Sequence, residues 1–146
     1  AAIKNTLKNF NLKIKNNTKI FCVYPCNPLL QIGDLKKSLS ILKKNQNKYI
    51  FPVIKSFNQD SNLIFLNKSK KVRLVKKYNK ILIKQNFYYD AGQFYVAYFK
   101  TWKKFKNIHE NGACMEIPDW RVVDINYPTD WKKAEVIFRH MKNVSR

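Results

Sequence analysis

The sequence predicts an α/β domain built on a mainly parallel sheet. Three observations predict it. Ile20–Tyr24 is a short apolar run of the length of a buried strand. Beyond a proline-containing loop, Leu35, Leu39 and Leu42 make an apolar stripe at helical spacing. Tyr49–Ile54 is a second apolar run. Strand, loop, helix and strand in that order make a βαβ unit, which implies parallel strands. The chain has 146 residues, the length of one domain. Hydrophobic residues make up 45% of it, enough to bury a core and too many for a disordered chain.

The elements follow in order. Ile3, Leu7 and Phe10 are spaced as on an amphipathic helix, so residues 1–10 read as a helix tail. Because the chain opens at Ala1 inside that pattern, we expect a segment upstream of it. The strand Ile20–Tyr24 ends at Pro25 and Pro28. Gly33 and Asp34 open the next helix, with Asp34 as its N-cap. Across residues 62–87, Leu63, Ile64, Leu66, Val72, Leu74, Val75, Ile81, Leu82 and Ile83 sit among lysines with weak alternation. That pattern reads as an extended hairpin or arm. Val96–Phe105 is aromatic and is expected to turn into a helix near Trp102. Met115–Ile117 and Val122–Ile125 are strand candidates. Pro128 belongs in the first turn of a last helix, where its missing N–H costs nothing. Trp131, Ala134, Val136, Ile137 and Met141 give that helix its apolar side.

Composition excludes several classes. No apolar run approaches the roughly 20 residues that cross a bilayer, and no signal peptide is visible. Cys22, Cys26 and Cys114 are too few for a disulfide scaffold and are not spaced as a zinc site, so they read as reduced thiols of a cytoplasmic protein. His109 and His140 have no visible Ser or Cys partner for nucleophilic catalysis. Gly33, Gly92 and Gly112 are too scattered for a phosphate-cradling loop. The net charge of +20 has two readings. One is a basic nucleic-acid-binding module. The other is codon drift in an AT-rich genome, since the excess is almost all Lys, with only Arg73, Arg121, Arg139 and Arg146 as arginine.

Three constellations carry candidate chemistry, and each has a plain structural reading beside it. Tyr24-Pro25-Cys26-Asn27-Pro28-Leu29 ends a buried strand, where α/β folds collect ligands, or is a proline-stiffened turn. In Tyr88-Tyr89-Asp90-Ala91-Gly92-Gln93-Phe94-Tyr95, Gly92 permits close backbone approach to a ligand. Asp90, Gln93 and Tyr95 there supply an acceptor, an amide and an aromatic hydroxyl suited to a sugar, or the segment is a turn before a strand. In Trp120-Arg121-Val122-Val123-Asp124-Ile125-Asn126, Asp124 interrupts an apolar run, and residues two apart share a strand face. Asp124 and Asn126 are therefore a candidate pair of hard oxygen ligands for Mg²⁺, or a turn cap and turn start.

Together these segments resemble the cytidylyltransferases of nonulosonic acids, most closely the pseudaminic acid cytidylyltransferases. Asp90-Ala91-Gly92-Gln93-Phe94-Tyr95 is the best match. Arg121-Val122-Val123-Asp124-Ile125-Asn126 follows, with Pro128-Thr129-Asp130-Trp131 and Ala134-Glu135. Tyr24-Pro25-Cys26-Asn27-Pro28-Leu29 resembles a Tyr-Pro-Thr-x-Pro turn with Cys in place of Thr. The resemblance implies a Rossmann-like nucleotide-diphospho-sugar transferase fold in one domain, with a hairpin dimerisation arm at 62–87. It implies transfer of CMP from CTP to a nine-carbon acidic sugar in a homodimer that uses Mg²⁺. Asp124 would be the catalytic metal ligand and Asn126 the second ligand. Tyr24, Asp90, Gly92, Gln93 and Tyr95 would bind substrate. This sequence departs from the pattern in three ways. The basic, glycine-containing CTP loop would have to precede residue 1, which makes the chain a C-terminal portion expected to be inactive alone. Asn126 stands where Asp is usual, and Ile81-Leu82-Ile83 replaces a polar stretch. A non-catalytic remnant of such an enzyme is the alternative, beside the nucleic-acid module.

Overall fold

The computed structural model describes residues 5–6, 14–56, 64–66, 72–74, 87–104 and 107–144. The elements are β1 (Lys19–Val23), α1 (Ile32–Lys44), β2 (Tyr49–Ser56), β3 (Ile64–Leu66), β4 (Val72–Leu74), β5 (Phe87–Asp90), β6 (Phe94–Tyr98), α2 (Phe99–Lys104), β7 (Gly112–Glu116) and α3 (Pro128–Val144). A single helical turn at Asp119–Arg121 precedes α3. The predicted β1–α1–β2 unit is there. The helix tail expected over 1–10 lies outside the described residues except for 5–6, which are helical.

The sheet corrects the expectation of mainly parallel pairing. β6 lies between β1 and β2 and is antiparallel to both, with Cys22 opposite Tyr95 and Ile50 opposite Val96. The βαβ pattern makes β1 and β2 run the same way, but it does not make them neighbours. A later strand fills the gap and pairs with each. β5 continues the same edge of β2 in antiparallel register, Val53 opposite Asp90 and Ser56 opposite Phe87. Among the described strands only β7 pairs in parallel, along the other edge of β2, from Tyr49 opposite Gly112 to Val53 opposite Glu116. The outcome is a mixed α/β fold whose sheet is mostly antiparallel.

β2 is paired on both edges and covered on both faces, which is why its sequence is an apolar run without alternation. Tyr49, Phe51 and Val53 point to one face, with Tyr95, Ala97 and Cys114 beside them and Trp102 and Val72 over them. Ile50 points to the other face with Phe94, Val96, Ala113 and Met115, against Leu42, Leu35 and Leu39 of α1. Pro52 sits within this central strand. Its carbonyl accepts the Ala91 N–H, 3.0 Å away. The N–H that Pro52 lacks would face the same bend between β5 and β6, where the ladder is already interrupted.

Three further expectations change. Asp34 is not the N-cap of α1. The helix starts at Ile32 with Gln31 as an uncapped flanking residue, and Asp34 is drawn inward by Arg121. Val122–Ile125 is not a strand. Val122 and Val123 do point into different apolar clusters, as in a strand. Their neighbour, however, is the Pro25–Pro28 turn, which supplies one ladder-like bond, Ile125 N–H to the Cys26 carbonyl at 3.3 Å. On α3, Ala134 is buried with Leu29 and Val123, and Ile137 and Met141 pack beside it. Trp131 and Val136, expected on the apolar side, are exposed.

Within 62–87, β3 and β4 pair as an antiparallel hairpin, Ile64 opposite Leu74, and β3 joins the sheet through β5, Ile64 opposite Tyr88. Val72 is buried. Residues 62–63, 67–71 and 75–86, which carry most of the expected arm, lie outside the described residues. Among the described residues no helix is long and apolar enough to cross a membrane.

Candidate active site

The segments singled out in the sequence meet at the carboxyl end of β1. Tyr24 follows the last residue of that strand, and its N–H donates to the Gln93 carbonyl at 3.0 Å. The Tyr24 ring meets the Tyr95 ring at 5.6 Å, edge to face. Asn27, in the same turn, is buried and donates from its side chain to the Gly92 carbonyl at 3.1 Å. Gln93 is 1% exposed and donates to the Arg121 carbonyl at 3.2 Å. With Ile125 tied to Cys26, the three segments hold one another through hydrogen bonds between residues 28 or more positions apart in sequence.

Each of the two buried amides has its NH₂ committed to a carbonyl, so chemistry fixes which end is oxygen. The Gln93 Oε1 and Asn27 Oδ1 atoms have no donor among the described residues. A buried acceptor left unpaired costs about 1–3 kcal/mol. Both atoms lie beneath the surface, so a donor from outside reaches them only if the turn shifts.

Gly92 has φ of 61°, a left-handed conformation that glycine adopts without steric cost. Asp90 braces this bend. Its Oδ1 accepts the Gly92 N–H at 2.9 Å, and its Oδ2 accepts the Tyr95 hydroxyl at 2.6 Å. His109 Nε2 lies 2.6 Å from the same Oδ2. Burial, then the charge of Asp90, holds the Tyr95 phenol well above the usual tyrosine range. Tyr95 is thus a neutral donor at ordinary pH. Burial, with Asp90 second, also raises the Cys114 thiol, and burial raises Cys22. Neither thiol is an activated nucleophile. All three cysteines are free.

Asp34 and Arg121 make a second, part-buried polar contact beside this turn. The Arg121 Nη1 lies 2.6 Å from Asp34 Oδ2 and its Nη2 3.4 Å from Oδ1, a two-pronged pair. Both side chains are little exposed. Asp34 also sits in the first turn of α1, where the helix dipole favours a negative charge. The pair fixes the helical turn whose Arg121 carbonyl receives Gln93.

The expected metal ligands sit differently. Asp124 and Asn126 are not on one face of a strand but in a loop; Asp124 is exposed and the Asn126 amide reaches across to it. The Asn126 Nδ2 donates to Asp124 Oδ2 at 3.1 Å, so its amide nitrogen faces the carboxylate. Asp130 Oδ2 accepts the N–H groups of Asn126 and Tyr127 at 3.1 and 2.9 Å and shapes the loop from the first turn of α3. No group of three or more His, Cys, Asp or Glu side chains able to hold a metal occurs among the described residues. Asp124 with the Asn126 oxygen still fits a hard, heavily hydrated cation such as Mg²⁺, which needs only one or two protein oxygens beside substrate phosphates. The Asn126 amide would turn over to present its oxygen.

Two residues carry no sequence signal for their place in the site. His109 stands in a polar loop without a visible partner, and Asn27 stands within a proline turn. Their partners, Asp90 and Gly92, are remote in sequence, and no local spacing marks such a pair.

Comparison with known proteins agrees with the motif reading. The chain is 23% identical over 143 residues to a pseudaminic acid cytidylyltransferase of Campylobacter jejuni serotype O:23/36, covering 95% of this chain. It is 22% identical over 143 residues to the protein of the same name from serotype O:2. The likeness is a distant, family-level one. The chain spans 62% of the length of these curated relatives. No protein-family model matches it.

Proposed function

We propose that this chain forms the acidic-sugar side of a cytidylyltransferase site that moves CMP from CTP to a nonulosonic acid, pseudaminic acid or a relative. The observation that carries this reading is the convergence of three distant segments at the carboxyl end of β1. Gln93 is bound to Arg121, Tyr24 to Gln93, and Ile125 to Cys26.

In this reading Tyr24, Gln93 and Tyr95 line the sugar pocket, and Asp90 and Gly92 shape the turn that presents them. The sugar's anomeric oxygen attacks the α-phosphorus of CTP. A P–O bond forms to the sugar, the bond to the β-phosphate oxygen breaks, pyrophosphate leaves, and the hydroxyl proton passes to solvent. The protein's part is to hold the two reactants in line, which removes much of the entropic cost of the step. Asp124, with Asn126, would hold Mg²⁺, which when bound spreads the phosphate charge. The 62–87 segment would pair two subunits.

The test is binding, because the assigned residues hold the sugar. Pseudaminic acid and CTP are titrated separately into the chain and into Gln93→Ala by calorimetry. The variant should bind pseudaminic acid about tenfold more weakly, the loss of one or two buried hydrogen bonds, with CTP affinity unchanged. No binding of pseudaminic acid by the chain, or equal losses for both ligands, refutes the reading.

A further inference from the structure

We propose that His109 is a positioning residue for the sugar-facing turn, acting through Asp90; the role in sugar binding rests on the function proposed above. Asp90 ends β5 with its side chain 18% exposed, and its two oxygens face three donors. Gly92 N–H meets Oδ1, while the Tyr95 hydroxyl and His109 Nε2 share Oδ2. An ionised carboxylate only accepts, so the contact fixes a proton on Nε2 and sets the orientation of the ring. Charge-assisted bonds of this length are stronger than neutral ones and tolerate little displacement.

His109 is itself held from behind. Its ring stands edge-on to Phe51 at 5.4 Å. The Asn107 side-chain oxygen accepts the N–H groups of His109 and Glu110 at 3.0 and 3.2 Å. The His109 carbonyl accepts the Gly112 N–H at 3.2 Å. Gly112 is required for that approach: a Cβ there would lie 2.6 Å from Phe51 Cε1 and 3.2 Å from the His109 carbonyl oxygen. The 107–111 turn is thus a rigid mount at the entry to β7 that aims an imidazole at Asp90. Asp90 passes the restraint to Gly92 and Tyr95, and the Tyr95 ring abuts Tyr24. The side-chain bond of His109 is to Asp90, not to a residue proposed to line the pocket. Its effect is on the geometry of the residues that do.

The experiment compares the full chain with His109→Leu and His109→Gln. Leu removes the donor, whereas the Gln side-chain nitrogen reaches about as far as imidazole Nε2. Two quantities are read: amide hydrogen exchange at Gly92 by NMR, and affinity for pseudaminic acid. His109→Leu should speed Gly92 exchange about tenfold and weaken pseudaminic acid about tenfold, as expected for losing one hydrogen bond to a charged group. His109→Gln should restore both to within about threefold. If His109→Leu does not fold, His109→Asn, whose amide is too short to reach Asp90, takes its place. Unchanged Gly92 exchange in the donor-less variant, or no rescue by Gln, overturns the proposal. If the chain itself binds no pseudaminic acid, the functional reading fails, and Gly92 exchange with its rescue by Gln still decides what His109 does.

Discussion

Asp90 and Asp124 are the same residue type in two parts of one candidate site, and the protein treats them in opposite ways. Asp90 lies under the bend between β5 and β6, with a glycine N–H, a phenol and an imidazole against its oxygens. Asp124 lies exposed on a loop, with one amide donor from its neighbour Asn126. The first carboxylate is consumed by the fold. The second keeps its oxygens accessible to solvent, where a hydrated cation could reach them. A carboxylate in a candidate site is thus a shape-holding or a ligand-holding group according to the donors around it, not according to the motif that contains it.

The sharpest way to break this contrast is to remove each carboxylate. Asp90→Ala should lose about 3 kcal/mol of stability, because the Tyr95 hydroxyl and the Gly92 N–H lose their acceptor in a partly buried place. Asp124→Ala should stay within about 0.5 kcal/mol of the parent, as exposed substitutions do. Its loss should appear in Mg²⁺ affinity instead. Urea unfolding measures the first difference and calorimetric Mg²⁺ titration the second. Equal stability losses would erase the distinction.

A smaller effect is expected at the mount of His109. Gly112→Ala forces a methyl group against Phe51 and the turn carbonyls, and should cost about 2 kcal/mol by overpacking. It should also speed Gly92 amide exchange, since the displaced turn carries His109. A stable Gly112→Ala protein with unchanged Gly92 exchange would separate the two turns.

The smallest effect lies away from the site and depends on pH. The Tyr49 hydroxyl donates to the Thr101 carbonyl at 3.2 Å, and burial pushes its pKa up to about 12. The folded chain keeps this proton between about pH 10 and 12, while the unfolded chain releases it. The stability tied to the protonated phenol is therefore complete below about pH 10 and is lost as pH rises through 12. Tyr49→Phe should cost about 1 kcal/mol at neutral pH, where the hydroxyl's hydrogen bond to Thr101 is lost. Above about pH 11 that cost should shrink or reverse, because Phe has no proton to lose. Denaturation midpoints across this range check the sign. A cost independent of pH would show that Tyr49 does not titrate with unfolding.

Much of the layout is legible in the sequence. Ile20–Tyr24, the leucine stripe and Tyr49–Ile54 correspond to β1, α1 and β2. Pro128 starts the last helix, because a residue without an N–H fits a first turn. The three segments that the fold brings together are also marked, since each carries local chemistry: prolines that end a strand, a glycine two residues after an acid, an acid and an amide two residues apart. Asp124 and Asn126 illustrate the limit. Their spacing would align them on a strand, but whether a strand forms depends on a neighbour able to pair, and the Pro25–Pro28 turn offers one bond.

The sequence by itself determined the local pieces: which runs are apolar enough to be buried, where prolines stop them, and that Gly92 can take a positive φ. Those properties reside in single residues and short periodicities. Only the tertiary structure decided that β6 separates β1 from β2, that Asp34 faces Arg121 rather than capping its helix, and that Asp90 is shared by Tyr95 and His109. Such choices depend on which distant donor or strand edge comes within reach. A hydrogen bond reads distance in space, and separation along the chain leaves no local pattern to mark it.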